Sequence, residues 1–206
     1  MINKKNTSQC FFVAGKTCCA IFSAAKFVNF FEEHRMKKCP FWTQHRLDHA
    51  SEANSFKKLG NIALNVLAQF PDAARGKIVQ VCGPVSTGGF DSVKVNFLVL
   101  AEAVRLLRVK AMYVFDQTPL EEQFVRLWKK WKSQGNTGYC WPILEDVYRP
   151  LFESKLIGTL LFLPGWEYSV GSCWERSQAL ALKMKIMAYP QKLYKNILLE
   201  HGLTLP

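Results

Sequence analysis

Acidic residues are scarce in this chain. Against 27 Lys and Arg stand 16 Asp and Glu, a formal net charge of +11 at pH 7 with pI ≈ 9.4. Such a balance favours anionic partners (nucleotides, nucleic acid or the acidic surface of a larger assembly) without choosing among them. The segment Met1 to Phe31 holds no acid at all, and no arginine precedes Arg35. Absence of arginine argues against an organellar presequence, although the acid-free start keeps organellar targeting open. Gly15 and Lys16 interrupt the apolar stretch Cys10 to Ala25, which argues against a secretory signal with Ser23-Ala24-Ala25 near its cleavage site. No run is long and apolar enough for a transmembrane helix, so no membrane partner and a cytoplasmic location are expected. The seven cysteines include no C-x-x-C pair and are odd in number. That pattern suits reduced, buried thiols better than a disulfide framework. Histidine is also sparse. His34, Cys39, His45 and His49 fall close together, but their spacing matches no zinc motif, so no metal is expected. Gly15-Lys16-Thr17 resembles the end of a phosphate loop, yet Cys10 stands where that loop needs its first glycine.

What is present reads as a packed protein. The chain has 206 residues, 49% of them hydrophobic, with a mean hydropathy of −0.02. This suits one domain of ordinary size, with or without an extension. Residues 1–75 read as a mainly helical N-terminal extension: a strand over Cys10 to Val13, a helix over Cys18 to His34, and one long helix over Asp48 to Phe70. In the last, Ala53, Phe56, Leu59, Ile62, Ala63, Val66 and Leu67 recur at three- and four-residue spacing. Pro71-Asp72 ends it, and residues 71–76 read as a linker.

Residues 76–206 alternate between short apolar runs and helical patterns. Strands are expected at Lys77–Cys82, Ala111–Phe115, Gly158–Leu163 and Met184–Ala188. Helices are expected at Asp91–Arg108, Leu120–Lys132, Pro142–Lys155, Glu175–Met184 and Gln191–His201, with Pro150 kinking or dividing the third. The order implies an α/β domain, a parallel sheet with helices on both faces. Ligands bind such sheets at the carboxyl edge of the strands. Two small-residue turns lie there. One is Gly83-Pro84-Val85-Ser86-Thr87-Gly88-Gly89, a candidate phosphate cradle through Gly83, Ser86, Thr87, Gly88 and Gly89. The other is Pro164-Gly165-Trp166 through Ser169 and Gly171, ending in Glu175, with Trp166 and Trp174 placed to wall a pocket. Both turns lead into helices, whose free N–H groups suit an anion. Asp116 ends the second strand, as a ligand contact or as a helix cap. Trp128, Lys129, Lys130, Trp131 and Lys132 interleave aromatics with cations, which fits a nucleic-acid surface or an ordinary amphipathic helix.

The segment LPGW, followed by Ser169-x-Gly171-x-x-x-Glu175, resembles the signature of the nucleoside 2-deoxyribosyltransferase superfamily, including its deoxynucleotide N-glycosidase branch. The segment CGPVSTGG, with Asn96 and Phe97 in the next helix, is similar to that family's first strand and loop. The resemblance runs from about Lys77 to Pro190. It implies a Rossmann-like, flavodoxin-like fold, no cofactor, and a nucleoside or nucleotide ligand. It further implies that Glu175 is the nucleophile attacking the anomeric carbon, with Gly83, Ser86, Thr87, Gly88, Gly89, Asp116, Trp166, Ser169 and Gly171 around the ligand.

The chain departs from the family pattern in three places. Gln80 stands where many members have Tyr. Two upstream aspartates of active members fall on Gly158 and Pro150, and neither residue can transfer a proton. Asp146, Glu145 and Asp116 are then the candidates to protonate a leaving base. Two functions are expected to compete: an enzyme of the N-glycosidic bond, and a nucleotide-binding or structural protein that kept the pocket without the chemistry. A homo-oligomer fits either one.

Overall fold

The computed structural model describes residues 41–110 and 112–206. The strand and helix expected before His34 lie outside the described residues. The first described helices are α1 (Gln44–Ser51) and α2 (Phe56–Leu67), where one continuous helix was expected. Ser55 accounts for the break. Its backbone is extended, and its side chain accepts a hydrogen bond from the Lys58 amide, which restarts the helix as an N-cap does. These helices share one hydrophobic cluster with the sheet: Trp42, Ala53, Leu59 and Val66 pack with Ile78, Cys82, Ile157 and Leu160.

Four strands follow, β1 (Ile78–Cys82), β2 (Val114–Phe115), β3 (Ile157–Phe162) and β4 (Lys185–Ala188). They form one sheet in the order β2-β1-β3-β4, with every pairing parallel. The α/β architecture expected from the alternating pattern is therefore present. β1 is buried along its whole length, as a central parallel strand must be. Side-chain alternation splits the core in two. Ile78, Cys82, Leu160 and Phe162 face one cluster, and Val79, Val81, Leu161 and Leu163 face the other.

The second cluster is closed by α3 (Val93–Val109) and by the last helix, α8 (Gln191–Glu200). The first cluster carries α1, α2, α4 (Glu121–Ser133), and a helical segment made of α5 (Trp141–Ile143), a π-helical turn over Leu144–Tyr148, and α6 (Arg149–Glu153). The π turn is where Pro150 acts. Proline has no N–H to offer the Asp146 carbonyl four residues back, so the regular ladder cannot run through it. That carbonyl faces Gly60 of α2 instead, and a side chain at Gly60 would run into it. Helix α7 (Val170–Ala181) leads into β4. Among the described residues no helix is long and apolar enough to cross a membrane.

Candidate functional site

The carboxyl edge of the sheet carries both small-residue turns, and the structure brings them together. The Val170 amide, first of α7, donates to the Thr87 hydroxyl at 2.9 Å. Gly88 (φ +69°) packs against the Tyr168 carbonyl, where a Cβ would lie 2.7 Å from its oxygen. Gly83 lies under the Leu163 side chain.

One side chain holds the first turn in shape. The Asn96 amide donates to the carbonyls of Val85 (2.9 Å), Gly88 (3.2 Å) and Phe90 (3.2 Å), and its carbonyl accepts from the Phe90 amide (2.9 Å). Gly89 (φ +67°) lets the chain pass, since a Cβ there would lie 2.6 Å from the Asn96 oxygen. Asn96→Ala should cost about 2 kcal/mol, because it orphans several backbone groups at once. Urea denaturation measures the loss, and faster amide exchange confined to the turn after β1 would locate it.

Helix α7 begins at Val170, well before the expected start at Glu175. Ser169 explains this. It is buried, its backbone is extended, and its side chain accepts from the Ser172 amide at 3.3 Å. The residue expected to hold a ligand is thus the helix N-cap. Glu175 sits in the second turn of α7, not at the dipole end, and is 7% exposed.

Three titratable side chains interact with Glu175: Cys82 from the end of β1 by a hydrogen bond, and Tyr148 from the π turn and Tyr139 from the loop after α4 through its charge. Burial pushes the Glu175 carboxyl up to about 8, and a hydrogen bond from Cys82 offsets this only in part. Burial, followed by the adjacent Glu175, holds the Cys82 thiol well above its ordinary range. The same two causes raise the Tyr139 and Tyr148 phenols. All four groups are therefore shifted toward their protonated forms. Two more buried polar groups lie on the same elements. Gln80, two residues before Cys82, has neither its amide nitrogen nor its oxygen hydrogen-bonded, and Ser172, one turn before Glu175, has an unpartnered hydroxyl. Unsatisfied buried groups are uncommon in folded proteins.

The other expected residues are engaged elsewhere. The Asp116 carboxylate accepts from the Thr118 amide (3.0 Å) and hydroxyl (2.6 Å) and pairs with Arg108 at 3.2 Å. It acts as a cap and ion-pair partner. Glu145 pairs with Arg149 and accepts from the Trp174 indole. Trp166 stacks edge-on against Phe162 at 5.3 Å and carries Arg176 over its face at 5.1 Å. Trp128 is exposed, and Lys132 lies over Trp131 at 5.6 Å, so the Trp and Lys residues of α4 are divided between core and surface. His45 and His49 stack on each other on α1. The sequence reading missed Cys82, Tyr139 and Tyr148 as neighbours of Glu175. Only Cys82 carried a local signal, because it ends the strand that leads into the glycine turn. No family model matches the chain, and neither does any curated protein or solved structure.

Proposed function

We propose that the chain acts on the N-glycosidic bond of a deoxynucleoside or its 5′-monophosphate, with Glu175 as nucleophile. One observation carries this reading. Glu175 is a buried carboxyl with no ion pair among the described residues, placed at the carboxyl edge of a parallel sheet beside two small-residue turns. The other buried acids, Glu102 and Asp116, are paired with Arg105 and Arg108. In the proposed step a Glu175 oxygen bonds to C1′ as the C1′–N bond breaks, and its electron pair leaves on the base. The base nitrogen takes a proton from the Tyr148 phenol, which is buried beside Glu175. Water or a second base then attacks C1′, returns its proton to the phenolate and frees the carboxylate. The Val170 amide and the Thr87 hydroxyl, already joined, are where a 5′-phosphate would meet the protein, by replacing their mutual hydrogen bond.

The attacking form is the carboxylate, so kcat/KM should rise with pH along an acid limb centred near 8. The test is base release from a panel of deoxynucleosides and deoxynucleotides at pH 8.5 or so, wild type against Glu175→Gln. The variant should lose several orders of magnitude in kcat while nucleotide affinity changes by no more than about 1 kcal/mol. Equal turnover by the variant would remove Glu175 from the reaction. A second reading, binding without turnover, is favoured by one observation: the Glu175 carboxyl is buried, with the buried Cys82 thiol beside it. Release of no base across the whole panel, with nucleotide binding intact, would establish that reading instead.

A further inference from the structure

We infer that Tyr139 is a movable plug that covers the buried Glu175 carboxyl, and that a ligand enters by swinging it out. The inference rests on the reading of Glu175 as a ligand-facing group, but its test does not need turnover. The Tyr139 hydroxyl lies flush on the first turn of α7: a Cβ at Gly171 would stand 2.6 Å from it. The hydroxyl also shares a hydrogen bond with Ser86 of the first small-residue turn, and the phenol lies within the field of the Glu175 carboxyl. One phenol thus spans the three places where a sugar and its phosphate would have to sit: the nucleophile, the helix N-terminus and the glycine turn. It offers them a hydroxyl on a six-membered ring, much as a ligand would.

The segment that carries it is built to move. Residues Gln134 to Gly138 are exposed, and Gly135 (φ +86°) and Gly138 (φ +76°) have nothing packed where a side chain would be. Beyond the plug the chain is anchored by buried Cys140. The outer face of the ring meets only one aromatic among the described residues, the exposed Trp141, at 5.3 Å. A phenol held by one glycine-flanked segment, over a carboxyl and unpaired polar groups, can leave without disturbing the sheet. Gly171 marks the same design from the other side, since its missing side chain is what gives the hydroxyl its seat.

The experiment is alkylation of the full-length protein by iodoacetamide, followed cysteine by cysteine with mass spectrometry. Cys82 lies beside Glu175 and is 1% exposed; Cys140 is 4% exposed and serves as the internal control for unfolding. Tyr139→Ala should speed Cys82 alkylation at least tenfold while Cys140 and the melting temperature stay as in wild type. Gly171→Ala, whose added methyl pushes the hydroxyl off its seat, should give the same acceleration with the tyrosine still present. Saturating deoxynucleoside 5′-monophosphate should slow Cys82 in Tyr139→Ala, and should bind that variant more tightly than wild type. If Cys82 stays as slow in both variants as in wild type, or if Cys82 and Cys140 accelerate together, Tyr139 is ordinary core and the inference falls. If Cys82 accelerates alone but no nucleotide binds either protein, the plug stands and the glycosidic reading fails.

Discussion

Glu175→Gln should be more stable than the wild type at pH 7 by about 3 kcal/mol, and the difference should vanish near pH 4. The physical reason is the buried carboxyl. In the unfolded chain it titrates near 4.5, and in the fold near 8. Below pH 4.5 the group is protonated in both states and costs nothing. Between 4.5 and 8 only the folded state keeps the proton, so stability falls as pH rises, by about 1.4 kcal/mol per unit. Above 8 the loss is complete. Glutamine has the same shape and does not titrate, so its stability lacks this slope. Groups common to both proteins cancel in the comparison. Urea midpoints for the pair at pH 4.5, 6, 7 and 8 measure it. A difference that stays constant across those pH values would mean that the carboxyl ionises in the fold as it does in water, and the closed crevice would then be the wrong description. The kinetic and the stability tests pull in opposite directions at one residue. That is the expected signature of a group kept for chemistry at the expense of the fold.

How much of this could be read from the sequence depends on the range of the interaction involved. Strand-to-turn junctions are local, so Cys82-Gly83 and Leu163-Pro164 marked the sheet edge correctly, and the parallel order followed from the alternation of strands and helices. Helix starts depend on one side chain. Ser55 was read as a mid-helix residue, and the capping role of Ser169 was not foreseen; each closes the first turn of a helix. The composition of the site is not local at all. Tyr148 belongs to the π turn before Pro150, which packs against α2 and α7, and Tyr139 to the loop before it. Pro150 announced an irregularity there, but not which side chains it would turn inward. Asp116, Glu145 and Asp146 were weighed as proton donors on their nearness in sequence. The fold gives the first two to Arg108 and Arg149, and leaves phenols in the field of Glu175.

The glycine at the start of β3 yields the other large effect. Gly158→Ala should cost about 3 kcal/mol or more, and Gly158→Asp at least as much. In the β1–β3 ladder Ile78 pairs with Ile157 and Val79 with Thr159, so Gly158 is the extra residue of a bulge. The strand closes there on the turn before β1. The Gly76 amide (φ +68° at that residue) donates to the Leu156 carbonyl at 3.1 Å, and a Cβ on Gly158 would run into the Gly76 carbonyl. The obstacle is backbone hydrogen-bonded on both sides, not the end of a flexible side chain, so it cannot step aside cheaply. Either the turn moves or the register of the two central strands slips by one residue, which would turn every core side chain of β3 to the wrong face. For a chain of this size the loss corresponds to a fall in melting temperature of roughly 10 °C. Gly135→Ala is the control, because it meets only the strain of a positive φ (+86°) with open space around it, and should cost about 1 kcal/mol. If Gly158→Ala melts as the control does, the bulge has room for a side chain and an aspartate could be restored. If it melts far below, this position cannot hold an acid in the present fold. In the reaction proposed for Glu175 a proton for the leaving base must then come from elsewhere, and Tyr148 is the phenol that stays in place to give it.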